Sequence, residues 1–200
     1  MFGDSTSEVY TAGFVCIEPR QVMICDTVFK NHRAGGIMWS MFSESMLELY
    51  SNKVLACQTA GIYIQGEGCR PIIESNEILN CRSTGIKIDE HVDGDIRENK
   101  LHDNNDSIHI LNNKSVVMNN DIDKSHGIGI KIECSYKEAK WNAKMQGNSI
   151  NNCKLHGIQV SGKGAHGTIS SNTIKNNRKW GIKIIERARV EINSGNLIQK

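Results

Sequence analysis

No stretch of the chain approaches the ~20 consecutive apolar residues that a membrane-spanning helix needs. The amino-terminal M-F-G-D-S-T-S-E-V-Y has neither the basic start nor the apolar core of a secretory signal. These two absences set the expectation of a soluble, cytoplasmic protein with no membrane partner. Charge excess is missing too: 24 Lys and Arg stand against 22 Asp and Glu, a formal net charge of +2. The two signs are interspersed and there are no exposed aromatic stacking platforms, which argues against nucleic acid as a partner. No C-x-x-C pair occurs among Cys16, Cys25, Cys57, Cys69, Cys81, Cys134 and Cys153. The close ligand spacing of a zinc site is therefore absent, and neither metal nor other cofactor is expected. Seven thiols, an odd number in a chain too long to depend on disulfides, read as reduced cysteines of a cytosolic compartment.

What the chain does contain is one short unit, repeated. Asn76 to Ile88 reads N-E-I-L-N-C-R-S-T-G-I-K-I, Asn148 to Val160 reads N-S-I-N-N-C-K-L-H-G-I-Q-V, and Asn172 to Ile184 reads N-T-I-K-N-N-R-K-W-G-I-K-I. Self-similarity at a period near 24 residues marks a solenoid whose units bury their apolar faces only against each other. The asparagine recurs at Asn52, Asn76, Asn99, Asn120, Asn148, Asn172 and Asn196, with Asp26 at the matching place near the start. An aliphatic residue stands two positions after each, from Val28 and Val54 to Ile198, and period two places it on the asparagine's side of a strand. Further on, glycine precedes an apolar-x-apolar pair, as at Gly61-Ile62-Tyr63-Ile64 and Gly85-Ile86-Lys87-Ile88; Ser107 replaces the glycine once. Glycine there suits either a positive φ or a close approach to the next coil. A looser third strand precedes each asparagine, through Met23, Leu49, Ile73, Ile96, Val117, Met145 and Ile169.

Three short strands per turn with no helical spacing predict an all-β fold. The expected architecture is a parallel β-helix solenoid of about eight coils, each of ~23–24 residues; its right hand is what the family resemblance given below implies. Residues 1–10 form a lead-in and residues 11–200 the repeats. Extra length between Ile132 and Asn148 predicts a protruding loop over 133–143. Stacked asparagines are expected to form a structural ladder that satisfies polar groups at the bend.

Candidate sites then lie where the unit varies. On the outward side of the Gly-Ile strand stand Tyr63, Lys87, His109 and Lys131, with Asp89 and Glu133 nearby, a surface suited to an acidic peptide. Tyr136 and Trp141 in the predicted loop join them as protein-binding candidates. On the asparagine strand the outward series Lys53, Glu77, Lys100, Asp121 alternates in sign and reads as an ion ladder. Asp121, Asp123 and His102 are the candidates for acid–base catalysis, because paired carboxylates can do such work. The acidic stretch from Asp89 to Asp95 lacks the repeat of calcium-binding rolls and reads as a polar turn.

The pattern N-x-I, then N, then G-I-x-I over residues 11 to 200 resembles the right-handed parallel β-helix repeats shared by polysaccharide-acting enzymes and several intracellular proteins. Its texture, with runs such as E-S-N-E-I-L-N-C-R-S-T-G-I-K-I and little insertion, is most similar to the β-helix regions of the F-box only proteins and the SHC SH2-domain-binding proteins. That resemblance implies a non-enzymatic interaction module or a scaffold, cytoskeletal or ciliary, with other proteins as partners that cap the open solenoid ends. The rival reading is a polysaccharide lyase or hydrolase, with carbohydrate the second choice of partner. Pectin-hydrolase-like members carry a Gly-His-Gly turn, and at Ser125-His126-Gly127 serine stands where that turn has glycine.

Overall fold

The computed structural model describes residues 12–17, 21–41, 45–89, 91–135 and 141–200. Strands fall into three eight-stranded sheets, and within each sheet the strands follow one another in chain order. A coil such as Ile72–Glu74, Glu77–Leu79 and Thr84–Ile88 gives one strand to each sheet and lies directly on the coil before it. The first sheet runs from Phe14–Ile17 to Ile182–Ile185, the second from Gln21–Cys25 to Arg189–Ile192, and the third from Val28–Lys30 to Leu197–Gln199.

Parallel, in-register pairing puts like residues above like. Ile62, Ile86, Ile108, Ile130 and Ile158 form one buried column of the first sheet, and Ile64, Ile88, Ile110, Ile132 and Val160 a second. The third sheet contributes Val54, Ile78, Leu101, Ile122, Ile150 and Ile174. Each such side chain adds about 1.5–3 kcal/mol when fully buried. The interior is accordingly a continuous aliphatic stack, and only the outward positions are left for function.

The bends are built from residues held at positive φ. Before the third-sheet strand stand Ser51, Ser75, Glu98, Asn119 and Ser171, with φ from 54° to 58°; after it stand Ala56, Asn80, Asp103, Lys124, Asn152 and Asn176, with φ from 52° to 58°. Left-handed backbone at non-glycine residues costs of order 1 kcal/mol each, so something must hold it. The asparagines do so. The Nδ2 group of Asn99 donates to Oδ1 of Asn120 at 3.0 Å and to the Ile73 carbonyl at 2.8 Å, while its own Oδ1 accepts from the backbone N and the Nδ2 of Asn76 at 2.9 and 3.0 Å. The same bonds run from Asn52 through Asn76, Asn99, Asn120, Asn148 and Asn172 to Asn196, with amide-to-amide distances of 3.0–3.1 Å.

The glycines before the first-sheet strands are there for close approach, since none of Gly61, Gly85 and Gly129 has positive φ. A Cβ on Gly85 would lie 2.7 Å from the Ser107 carbonyl oxygen, and one on Gly129 2.5 Å from Cγ2 of Ile150. At Ser107 the side chain is accommodated by a buried hydroxyl pair, Ser107 Oγ to Ser125 Oγ at 2.7 Å.

Two positions depart from expectation. Near the start, Phe29 pairs with Val54 and Ile24 with Leu49, so Val28 and Met23 face outward, 62% and 59% exposed. Thr27, not Asp26, occupies the asparagine position: its backbone N donates to Asn52 Oδ1 at 3.1 Å and its carbonyl accepts from Lys53 N at 2.8 Å. A one-residue offset in a strand exchanges its two faces, and this coil lacks the asparagine that marks the register elsewhere. In the 133–143 region, Glu133 ends one strand and Trp141–Gln146 already forms another, paired with Ala165–Ser170. Residues 136–140, and with them Tyr136, lie outside the described residues.

Replacing Asn99 by Ala leaves buried donors of Asn76 and the Ile73 carbonyl without their partner, and is expected to cost about 2–4 kcal/mol in a denaturant titration. Asn196→Ala, at the last coil where water reaches the amide, is expected to cost less than half as much.

Candidate functional site

The outward face of the first sheet carries Met38, Tyr63, Lys87, His109, Lys131, Gln159 and Lys183 in one in-register column. A strand spacing of ~4.8 Å sets the distance between successive members. Two residues further along, a second outward column includes Ser40 beside Gln65, and Leu111 beside Glu133. Asp89 follows the strand Thr84–Ile88, and its backbone N donates to the Ile64 carbonyl at 2.9 Å.

These columns are joined crosswise. His109 Nε2 lies 2.7 Å from Glu133 Oε2, and Lys131 Nζ lies 3.0 Å from Glu133 Oε1. The hydrogen bond from His109, with Lys131 beside it, holds the Glu133 carboxyl at about 2, well below its ordinary 4.5. An ionised carboxylate only accepts, so Nε2 of the imidazole is the donor in this contact. The His109 side chain is 15% exposed, which keeps water from replacing this contact.

On the other side of Lys87 the hydroxyl of Tyr63 is 2.7 Å from both Asp89 Oδ2 and Gln65 Oε1, and its single proton can go to one at a time. Burial and then the Asp89 carboxylate push the Tyr63 phenol upward, so it stays protonated. Lys87 Nζ is 3.4 Å from Asp89 Oδ2 and sits 4.9 Å from the centroid of the Tyr63 ring. Met38, Tyr63 and Lys87 wall a shallow trough of about 450 Å³ whose other side is Ala34, Thr59, Ala60 and Ser83.

The coil that carries His109 is shorter than its neighbours, and the one after it, 28 residues from Asn120 to Asn148, is longer. From Asn99 to Asn120 is 21 residues, against 24 from Asn52 to Asn76. In this coil Ser107 replaces the glycine, and Asp106 turns to accept a hydrogen bond from Ile128 N at 2.7 Å. Departures from a repeat that stacking otherwise enforces concentrate at functional positions.

Asp121, Asp123 and His102 stand on a different sheet, the third. His102 Nδ1 lies 3.6 Å from Asp123 Oδ2, and Asp123 also accepts from Asn152 Nδ2 at 2.6 Å and faces Lys124 Nζ at 3.7 Å. Asp121 is exposed, in register between Lys100 and Ser149, two residues and so ~6.7 Å along the strand from Asp123. Further along the same face Lys53 pairs with Glu77 at 2.7 Å. Trp141 begins a strand of the second sheet, whereas Tyr63 to Lys131 belong to strands of the first. Gln65, Ser40, Thr59 and Ser83 are the contributors that sequence reasoning missed; their signal is position alone, two residues after, or four before, a member of the outward column.

The stacked interior and the varied outer face define a parallel β-helix that presents side chains in straight columns. The chain belongs to the family described as right handed beta helix region, whose model matches residues 35–197. Solved structures of the periplasmic alginate epimerase AlgG share the fold. One mutant form has a TM-score of 0.78 at 16% identity, covering 94% of this chain and 48% of that one. A second mutant form gives 0.74 at 17% identity, covering 91% and 47%, and a third AlgG structure gives 0.53 at 15%, covering 86% and 50%. This chain therefore spans about half the length of the AlgG chains it matches. No curated protein sequence matches it.

These likenesses correct several expectations. The resemblance in texture to F-box only and SHC SH2-domain-binding proteins gives way to a likeness to AlgG, a carbohydrate enzyme. With it go the non-enzymatic scaffold, the protein partners at the solenoid ends, the placing of carbohydrate second, and the cytoplasmic, cytoskeletal or ciliary location, since AlgG is periplasmic. The physical reason is that asparagine, isoleucine and glycine repeats serve stacking, which every β-helix needs whatever it binds. Cysteine number misled in the same way: Cys57, Cys69, Cys81, Cys134 and Cys153 are buried, where a thiol acts as a small hydrophobe in any compartment.

The depressed Glu133 carboxyl contributes stability that is fully present above its ordinary 4.5 and is lost as pH falls towards about 2. Thermal midpoints of the wild type and Glu133→Gln should therefore differ at about pH 6 and converge across that acid window. A gap that stays constant with pH would show that the carboxylate is not held by His109 and Lys131.

Proposed function

We propose that the outward face of the first sheet binds an acidic polysaccharide. His109 there removes a proton from a sugar carbon adjacent to a carboxylate, the chemistry of a uronate epimerase or lyase. The observation that carries this reading is the His109–Glu133 pair at 2.7 Å, placed between Lys87 and Lys131 in one column.

Each part of the arrangement has a use in that reaction. A carbon–hydrogen bond next to a carboxylate is a poor acid, because its loss adds charge to a group already negative. A lysine that meets the carboxylate lowers this cost by neutralising it where the charge develops. Lys87 and Lys131 flank His109 by one coil each, ~4.8 Å away on either side. Glu133 orients the imidazole and stabilises the imidazolium that forms when Nδ1 takes the proton. Tyr63, two coils from His109 and held protonated, is a donor on the far side of Lys87 for returning a proton or protonating a leaving oxygen. A polymer lying along the solenoid axis meets a new row of side chains at every coil. The fold shared with an alginate epimerase supports the reading at the level of architecture.

A second reading places hydrolysis on the third sheet, with Asp121, Asp123 and His102. It is favoured by two carboxylates on one outward face with His102 3.6 Å from one of them.

Both are tested on alginate, the first by deuterium uptake from heavy water at the sugar carbon and the appearance of unsaturated ends, the second by the appearance of saturated reducing ends. His109→Gln should lower kcat by about 10²- to 10⁴-fold with KM little changed. Lys87→Met should act mainly through KM. Wild-type turnover in His109→Gln together with loss in Asp121→Asn would move the chemistry to the third sheet.

A further inference from the structure

The outward column of the first sheet carries a second pattern beside the His109–Glu133 pair. Over five successive strands it reads Lys87, His109, Lys131, Gln159 and Lys183, so that lysine returns at every second coil. In-register stacking sets consecutive lysines ~9.6 Å apart and the first and last ~19 Å apart. Their surroundings differ. Lys87 has Asp89 at 3.4 Å and Lys131 has Glu133 at 3.0 Å. The position that holds Glu133 is taken by Ser161 and then Ile185 in the two coils that follow. Among the described residues Lys183 consequently has no carboxylate at ion-pair distance, and its ammonium is the uncompensated charge of the column.

We infer that this column reads an acidic polysaccharide at every second sugar, with Lys183 as a binding residue two coils beyond Lys131. The inference rests on the proposed function of this face and specifies the form of its substrate. In a 1,4-linked chain of uronic acids drawn out as a two-fold ribbon, each sugar is turned over relative to the one before it. Successive carboxylates then point to opposite sides. Each sugar advances about as far as one coil, ~4.8 Å, so the carboxylates on the side facing the sheet recur at the spacing of Lys87, Lys131 and Lys183. The intervening sugars turn hydroxyls towards the sheet, where Gln159 offers an amide that both donates and accepts.

This register agrees with the chemistry placed at His109. A reacting sugar whose carboxylate rests on Lys131 has the adjacent carbon towards His109, and the same chain delivers further carboxylates to Lys87 and Lys183. Lysine suits the task, because a point charge on a flexible four-carbon stem absorbs a small mismatch between sugar length and coil height. The three sites are unequal. A carboxylate arriving at Lys87 or Lys131 shares the ammonium with Asp89 or Glu133, whereas at Lys183 it forms a pair where the described residues supply none. Lys183 should therefore contribute most to affinity per contact.

The test is calorimetric titration of the full chain carrying His109→Gln, which leaves the ligand intact, with mannuronic acid oligomers of two to six sugars. An alternating register predicts a stepped curve: little change in Kd from three to four sugars, and a roughly tenfold tightening from four to five, when a third lysine is reached. Raising the salt concentration should shrink that step. Adding Lys183→Gln, a side chain the same column holds at Gln159, should abolish it, so that five sugars bind no better than three. Adding Lys175→Gln instead, the same loss of charge on the third-sheet strand Thr173–Lys175, should leave the step in place. A smooth gain with every added sugar overturns the inference, as does a step that survives Lys183→Gln or is lost in Lys175→Gln, while the proposed function of the face is judged separately by turnover. Failure to bind at any length overturns both.

Discussion

Every feature of this molecule follows from stacking parallel strands in register. Once successive coils lie ~4.8 Å apart with like residue over like, each position of the repeat becomes a column with one fate along the whole length. An apolar column fills the interior. A polar column inside is tolerable only if its members bond to each other, and the Asn52–Asn196 amides do this while also binding backbone groups at the left-handed bends. Losing one amide therefore exposes several groups to an unsatisfied, water-free setting, which is why the ladder and not the aliphatic stack sets the limits of variation.

The same constraint shapes the outer face. Columns bring into contact residues some 22 to 26 positions apart in the chain, such as His109 with Glu133 and Tyr63 with Asp89. Two networks result, Tyr63–Asp89–Lys87 and His109–Glu133–Lys131, with charges balanced inside each. The balance limits long-range attraction of an anionic chain but leaves lysine ammonium groups at defined heights along the axis. The short coil from Asn99 to Asn120 supplies His109 to the middle of this arrangement.

Legibility followed periodicity. The coils, the inward aliphatic columns and the order of the sheets could be read from Asn76–Ile88 and its copies, because burial on one side imposes a strict pattern of residue types. The first coil could not be placed to the residue: without an asparagine at Thr27, the choice between Val28 and Phe29 as the inward residue rests on pairing with Val54. On the outer face, residue types could be listed by column, yet which of Glu77, Asp121, Asp89 and Glu133 meets a histidine could not. Solvent-facing side chains are chosen by neighbours two positions along and one coil away, and their rotamers carry no period. Repeat texture was a poor guide to relatives for the same reason, since stacking and not ligand chemistry writes it.

By itself the sequence determined the architecture: a solenoid of three-strand coils with an aliphatic interior and an internal asparagine column, since a period near 24 with alternating strands leaves no other way to bury those residues. Tertiary structure alone decided which outward groups form a site. It set the 2.7 Å contact that holds Glu133 ionised, brought His102 to 3.6 Å from Asp123, and joined the Tyr63 hydroxyl to Asp89 at 2.7 Å. These outcomes depend on distances across coils, and distance across coils is a property of the stack, not of any one repeat.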